Sequence, residues 1–213
     1  MKIEPKPQQL DRKLLYFPIV HTPADMGKLG DAVKSLYLRK MGRTAWNRKI
    51  DLVNKFWDQV AEIISNVQIE ETTTRVYQDG LPVTNNGKEF EIIKKLADSG
   101  SRNHLLVVGL VERGAILMGT ESIDLLMAEY DITKKHLENQ SSGKPGMGKK
   151  IRESEDDILK KRDQFIASRI NQTLGEGELG IIFLGMLHDI KPWLSEDIEV
   201  VFPVLIEAGR RPS

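Results

Sequence analysis

Two histidines, one glutamate and one arginine stand out in this chain because each follows or adjoins a short apolar run. His21 ends Leu14 to Val20, LLYFPIV, and His188 ends Ile181 to Leu187, IIFLGML. Neutral imidazole titrates near neutrality and serves as a general base or as a metal ligand. Glu121 closes a third short apolar stretch, Ala115 to Met118, within GAILMGTES. A carboxylate there can ligate a metal or take a proton, or it can simply favour the positive end of the helix that follows. Arg162 and Arg169 lie seven residues apart around Phe165 and Ile166. That spacing puts both on one side of a helix, where a guanidinium can grip a carboxylate or phosphate in a bidentate fork. Asp79 is a further strand-end carboxylate, but it precedes a glycine and reads first as a turn residue. Asp189, Asp25 and Glu112 are weaker carboxylate candidates.

For these groups to meet, the apolar runs must be strands with their carboxyl ends on one edge. Short runs rich in β-formers and bounded by glycine read as strands covered on both faces. In a parallel sheet, ligands bind outside the carboxyl ends. The expectation is one three-layer α/β domain over residues 1–213, with a mainly parallel sheet and helices on both faces. Strands are predicted at Leu14–Val20, the second half of Val67–Tyr77, Ala115–Met118, Ile181–Leu187 and Ile198–Val204. Pro18 suggests an edge or a strand end for the first of these.

Helix signals lie between the strands. A short helix is expected over about residues 31–40. Trp46, Ile50, Val53, Trp57, Val60 and Ile64 recur at spacings of four and three, with Leu52, Phe56 and Ile63 widening the face, so Thr44 to Ser65 reads as a helix. Lys88 to Ser99 stops at Gly100, and Ser101 caps the next helix. Ile123, Leu126, Met127 and Tyr130 share one side of a helix after Ser122. A capping box at Ser154 and Asp157 opens a helix to Leu174. Residues 1–13 read as a loose arm and residues 139–149 as a flexible loop.

Composition narrows the function classes. Lys plus Arg and Asp plus Glu each number 31, which argues against a nucleic-acid partner. Cysteine is absent, so there is no thiolate nucleophile or ligand. No apolar run approaches the ~20 residues a membrane helix needs. The polar N-terminus has no signal-peptide core, so a cytoplasmic location is expected. Residues 143–150 match the glycine and lysine positions of a P-loop, but Lys150 replaces the Ser or Thr that would bind magnesium, and no buried strand precedes them. A nucleotide-binding P-loop is therefore rejected.

The order of these motifs resembles that of the TraB/ChaN/Tiki superfamily, whose members carry two GxxH motifs, a strand-end glutamate and a later arginine. Here Gly185 to His188 spells the second GxxH, Glu121 lies in GTES, and RDQFIASRI begins at Arg162. The first histidine stands in Pro18-Ile19-Val20-His21, without the glycine. The resemblance implies an α/β fold with His21, His188 and Glu121 around one pocket. Some relatives are described as metal-dependent hydrolases, others as haem-binding or signalling proteins. The leading expectation is a hydrolase in which His21, Glu121 and His188 hold a divalent metal ion and Arg162 steadies an anionic small-molecule or peptide substrate. The alternative is a non-catalytic protein that holds a small ligand or haem in the same pocket.

Overall fold

The computed structural model describes residues 11–20, 28–84, 87–142 and 148–204. They form an α/β domain whose five strands are all parallel: β1 (Arg12–Ile19), β2 (Thr74–Pro82), β3 (Ile116–Glu121), β4 (Leu179–Gly185) and β5 (Ile198–Val201). Their order across the sheet is β3-β2-β4-β1-β5. Helices α1 (Lys28–Asn66), α2 (Glu89–Asp98) and α3 (Arg102–Glu112) supply the first crossovers, and α4 (Ile123–Ser142) and α5 (Gly148–Thr173) connect β3 to β4.

Strand alternation divides the core. Phe17, Ile19, Val76, Ile181 and Phe183 point to the face packed by Val53, Trp57, Val60 and Ile64 of α1, with Ile93 of α2 and Val107 of α3. Leu14, Tyr16, Tyr77, Ile182 and Leu184 point the other way, onto Ile166, Ala167 and Ile170 of α5. Burial on both faces explains why β4 reads as an unbroken apolar run. Both faces being covered, the ends of the strands are where polar groups gather.

Several expected boundaries are corrected. The two predicted N-terminal helices are both present within α1, which runs longer than expected at its start and is broken at Gly42 (φ 81°, ψ 170°); Leu52, expected on the packed face, lies on the exposed side. Of the two readings of Pro18, the strand end holds, since it is the penultimate residue of β1, and the edge does not, since β1 lies between β4 and β5. The pairing with β5 ends at Leu15 and Val201, so among the described residues β4 alone pairs with the strand at Pro18, where a missing donor is tolerated. Ser101 does cap α3, accepting from the His104 N–H. Helix α5 begins at Gly148, six residues before the predicted capping box, and α4 reaches Ser142, so the connection is shorter than the predicted 139–149 loop. Ile123, Met127 and Tyr130 do share a side of α4, but that side is exposed.

The largest correction is in β2. The Asp79-Gly80 pair was expected to end the strand, and instead the strand continues to Pro82. Gly80 takes φ 72°, in the left-handed region that glycine adopts without strain. Pairing with β3 jumps from Gln78–Gly119 to Pro82–Glu121, which makes a bulge at Asp79 to Leu81. The bulge lies close over β3: a Cβ on Gly119 would stand 2.7 Å from the Pro82 carbonyl oxygen and from Val83 Cα. The glycine of GTE is therefore a packing requirement.

Candidate functional site

At the carboxyl edge of the sheet, three strands and two helices bring polar groups together, with α4 contributing Glu129. The β2 bulge supplies Asp79, and the last residue of β3 supplies Glu121, which has no solvent exposure. Helix α5 supplies Arg162 and Asp163, both buried. After β4, the His188 N–H donates to the Gly185 carbonyl at 3.1 Å, closing a turn. This turn gives GxxH a physical reading. Met186 and Leu187 project outward, while the His188 side chain folds back and is 5 % exposed.

Arg162 is the hub. Its Nη2 donates to Glu121 Oε1 at 2.6 Å and to Asp79 Oδ1 at 2.8 Å; its Nε donates to Glu121 Oε2 at 3.2 Å; its Nη1 donates to Glu129 Oε1 at 2.7 Å. Asp79 Oδ2 also accepts the Gly185 N–H at 3.0 Å, which ties β2 to the end of β4. Gln78 helps hold the bulge: its carbonyl accepts from the Thr120 hydroxyl, and its Oε1 accepts from Asn103 Nδ2 at 2.8 Å.

His188 is oriented from behind. Its Nδ1 lies 2.5 Å from Asp163 Oδ1, while Asp163 Oδ2 accepts the Asp189 N–H at 3.1 Å. With Nδ1 as the donor to Asp163, Nε2 is the atom left for chemistry. Asp79 Oδ1 stands 3.6 Å from Nε2, beyond hydrogen-bond length. Burial lowers the His188 pKa, but the Asp163 hydrogen bond and the Asp79 charge outweigh it, and the net direction is upward. Burial pushes the Glu121 carboxyl above its ordinary value, with Arg162 pulling against it. Burial also opposes the charge on Arg162, yet the carboxylates around it raise its pKa further.

Asp79, Glu121 and His188 each present one ligand atom, all within 4.8 Å of one another, and so form a potential metal-binding group. Their donor types suit a divalent cation, although Arg162 already uses one oxygen of Asp79 and both of Glu121. The predicted trio is thus met in Glu121 and His188. His21 lies outside the described residues, as does Asp25. What the sheet does show is that β1 and β4 are parallel neighbours, with Ile19 opposite Gly185.

Arg162 belongs to the site, but in a different role from the predicted anion grip, because internal carboxylates occupy its donors. Arg169 stays apart, donating to the Gly119 carbonyl at 3.4 Å. Glu112 is exposed at the end of α3, and Asp189 contributes its backbone N–H to Asp163.

Asp163, Glu129 and the role of Asp79 were missed in the sequence. Asp163 did carry a signal. It falls in register with Ile166, Ala167, Ile170 and Leu174, the buried stripe of α5, where an isolated carboxylate needs a partner.

No family model matches the chain, and no curated protein or solved structure matches it significantly. Among the described residues, no helix is long and apolar enough to cross a membrane.

Proposed function

We propose that the protein is a hydrolase acting on a small-molecule or peptide substrate, with His188 as its general base and a divalent cation held beside it by Asp79 and Glu121. The observation that carries this reading is the Asp163–His188 pair, which directs Nε2 into a carboxylate cluster at the carboxyl edge of a parallel sheet. Two carboxylates suit a hard divalent cation, and a carboxylate behind a histidine base fixes its ring and favours its charged form. The order of motifs resembling the TraB/ChaN/Tiki superfamily supports the same reading. When bound, the cation would supply Lewis acidity and a more acidic water.

The residues themselves would act as follows. His188 Nε2 accepts a proton from water as the water oxygen bonds to the substrate carbonyl carbon. The bond from that carbon to the leaving oxygen or nitrogen breaks, and Nε2 returns the proton to the leaving group. Asp163 holds the ring orientation and stabilises the imidazolium formed between these steps. Arg162 positions Asp79 and Glu121 and offsets their charge.

A binding role without chemistry, with a small ligand or haem beside His188, is the second reading. Its small-ligand form is favoured by an adjoining cavity of about 370 Å³. Untagged protein stripped with EDTA, then supplied with zinc, manganese or magnesium, separates the two in an ester and anilide hydrolysis assay. The hydrolase reading expects cation-dependent turnover that His188→Gln lowers by about 10²–10⁴-fold without a large loss of fold. Equal activity in that variant, or no turnover with any cation, refutes it. A Soret band on adding haem that His188→Gln abolishes favours the binding role.

A further inference from the structure

We propose that the cavity beside His188 is a binding site for a small uncharged aromatic acyl group. This inference rests on the hydrolase reading for the chemistry but not for the binding. Tyr16 and Pro18 of β1, Val200 of β5, Phe202, Ile190 and Leu194 give the cavity an apolar wall, and His188 lines it as well. His188 is therefore common to the carboxylate cluster and the cavity, so a group seated in the cavity places its next bond near the imidazole.

Size, wall chemistry and charge narrow the occupant. A volume of about 370 Å³ equals about 12 waters at ~30 Å³ each and lies at the small end of ligand pockets, which fits one ring with a short linker. Tyr16 and Phe202 stand with ring centroids 5.0 Å apart and planes tilted by 40°, and aromatic walls of this kind favour a third ring.

Charge then decides against an acid. Asp79, Glu121, Glu129 and Asp163 outnumber the two basic groups, Arg162 and His188, in the adjoining cluster, and the Arg162 donors are committed to carboxylates. Burial, followed by the charges of Asp79, Asp163 and Asp189, pushes the Tyr16 phenol up to about 12, so the cavity wall is itself in a negative field. An anionic ligand would meet that field, with Lys191 the one Lys or Arg among the lining residues to offset it. A cation would be drawn by the same field but would lose its hydration against an apolar wall, where Asp189 is the one carboxylate lining the cavity and Lys191 opposes it. A neutral ester or amide incurs neither cost.

The test pairs a binding assay with a turnover assay. Ligand-observed NMR on the full chain compares phenylacetamide, phenylacetate and 2-phenylethylamine. Phenylacetamide is expected to bind at least tenfold more tightly than either charged analogue. Val200→Trp, which fills the cavity, should weaken it at least tenfold, and Lys161→Ala, outside its wall, should leave it within threefold. Phe202→Ala, which removes an exposed wall, provides a second variant if Val200→Trp does not fold, with the same direction expected. Tighter binding of a charged analogue, or unchanged binding in the filled or opened cavity, overturns the proposal.

Hydrolysis of 4-nitrophenyl phenylacetate against 4-nitrophenyl acetate separates the two claims. A tenfold kcat/KM preference for the phenylacetyl ester that collapses in Val200→Trp supports both. Phenylacetamide binding without turnover of either ester upholds the cavity and refutes the hydrolase. Turnover without acyl preference, unchanged in Val200→Trp, does the reverse.

Discussion

Replacing Arg162 by methionine keeps most of the side-chain volume and removes the one guanidinium at the centre of the site. The loss falls unevenly on its partners. Glu121 is fully buried, the Asp79 side chain is 14 % exposed, and that of Glu129 is 39 % exposed and so is partly answered by water. Breaking a buried pair by removing one partner costs about 3–5 kcal/mol, because the other charge stays desolvated. The Glu129 contact adds little beyond ~0.5 kcal/mol, as for exposed pairs. Urea unfolding at about pH 7.5 should therefore show a loss of about 3–5 kcal/mol in Arg162→Met.

Two features distinguish this cause from lost packing. The stranded Glu121 can protonate, so the loss should shrink toward about pH 5. The double variant Arg162→Met with Glu121→Gln should recover at least ~1 kcal/mol, as interacting neighbours are not additive. Lys161→Ala, next along the helix, removes only an exposed pair with Asp157 and should cost less than ~0.5 kcal/mol. A loss below ~1 kcal/mol for Arg162→Met, or one indifferent to pH and to Glu121→Gln, would refute the argument that Arg162 holds the carboxylates together.

Three further outcomes can be checked on the same material. His188 has a raised pKa, so its contribution to stability is present in full below about pH 6.5 and is lost as pH rises through the folded-state value; His188→Gln should cost more at about pH 6 than at about pH 9 in denaturant titrations. If His188 is the base, the acidic limb of kcat/KM lies above 6.5, and Asp163→Asn, which removes the group raising it, moves that limb down and lowers the plateau. Gly119→Ala sets a Cβ 2.7 Å from the backbone of Pro82 and Val83, just after the β2 bulge, and should destabilise by about 1–3 kcal/mol in thermal or urea melts, with metal affinity falling as Asp79 shifts.

The parallel sheet was legible because β1, β4 and β5 are short apolar runs separated by helix-length segments. Glu121, Arg162 and His188 were legible as well, since strand ends and a charge beside a buried helix stripe are positions that periodicity identifies. Asp79 was not. An Asp-Gly pair has the same local signature in a turn as in a bulged strand, and only pairing with Gly119 and Glu121 decides between them. Nor was the occupation of Arg162. Which carboxylates reach a guanidinium depends on three chain segments far apart in sequence, so local pattern shows that it needs partners without showing which. The exposed side of α4 marks a further limit, because Ile123, Met127 and Tyr130 are spaced as a core stripe and yet face outward.

The central claim is that His188 Nε2 is the reactive atom, with Nδ1 committed to Asp163. Nitrogen-15 NMR of protein labelled at histidine tests it most directly, with His188→Gln identifying the His188 signals among the four histidines. The predicted result is a neutral ring protonated at Nδ1, a titration midpoint above 6.5, and a shift of Nε2 on adding zinc that is lost in Glu121→Gln or Asp79→Asn. A neutral ring protonated at Nε2, or an Nε2 signal indifferent to zinc, would contradict it.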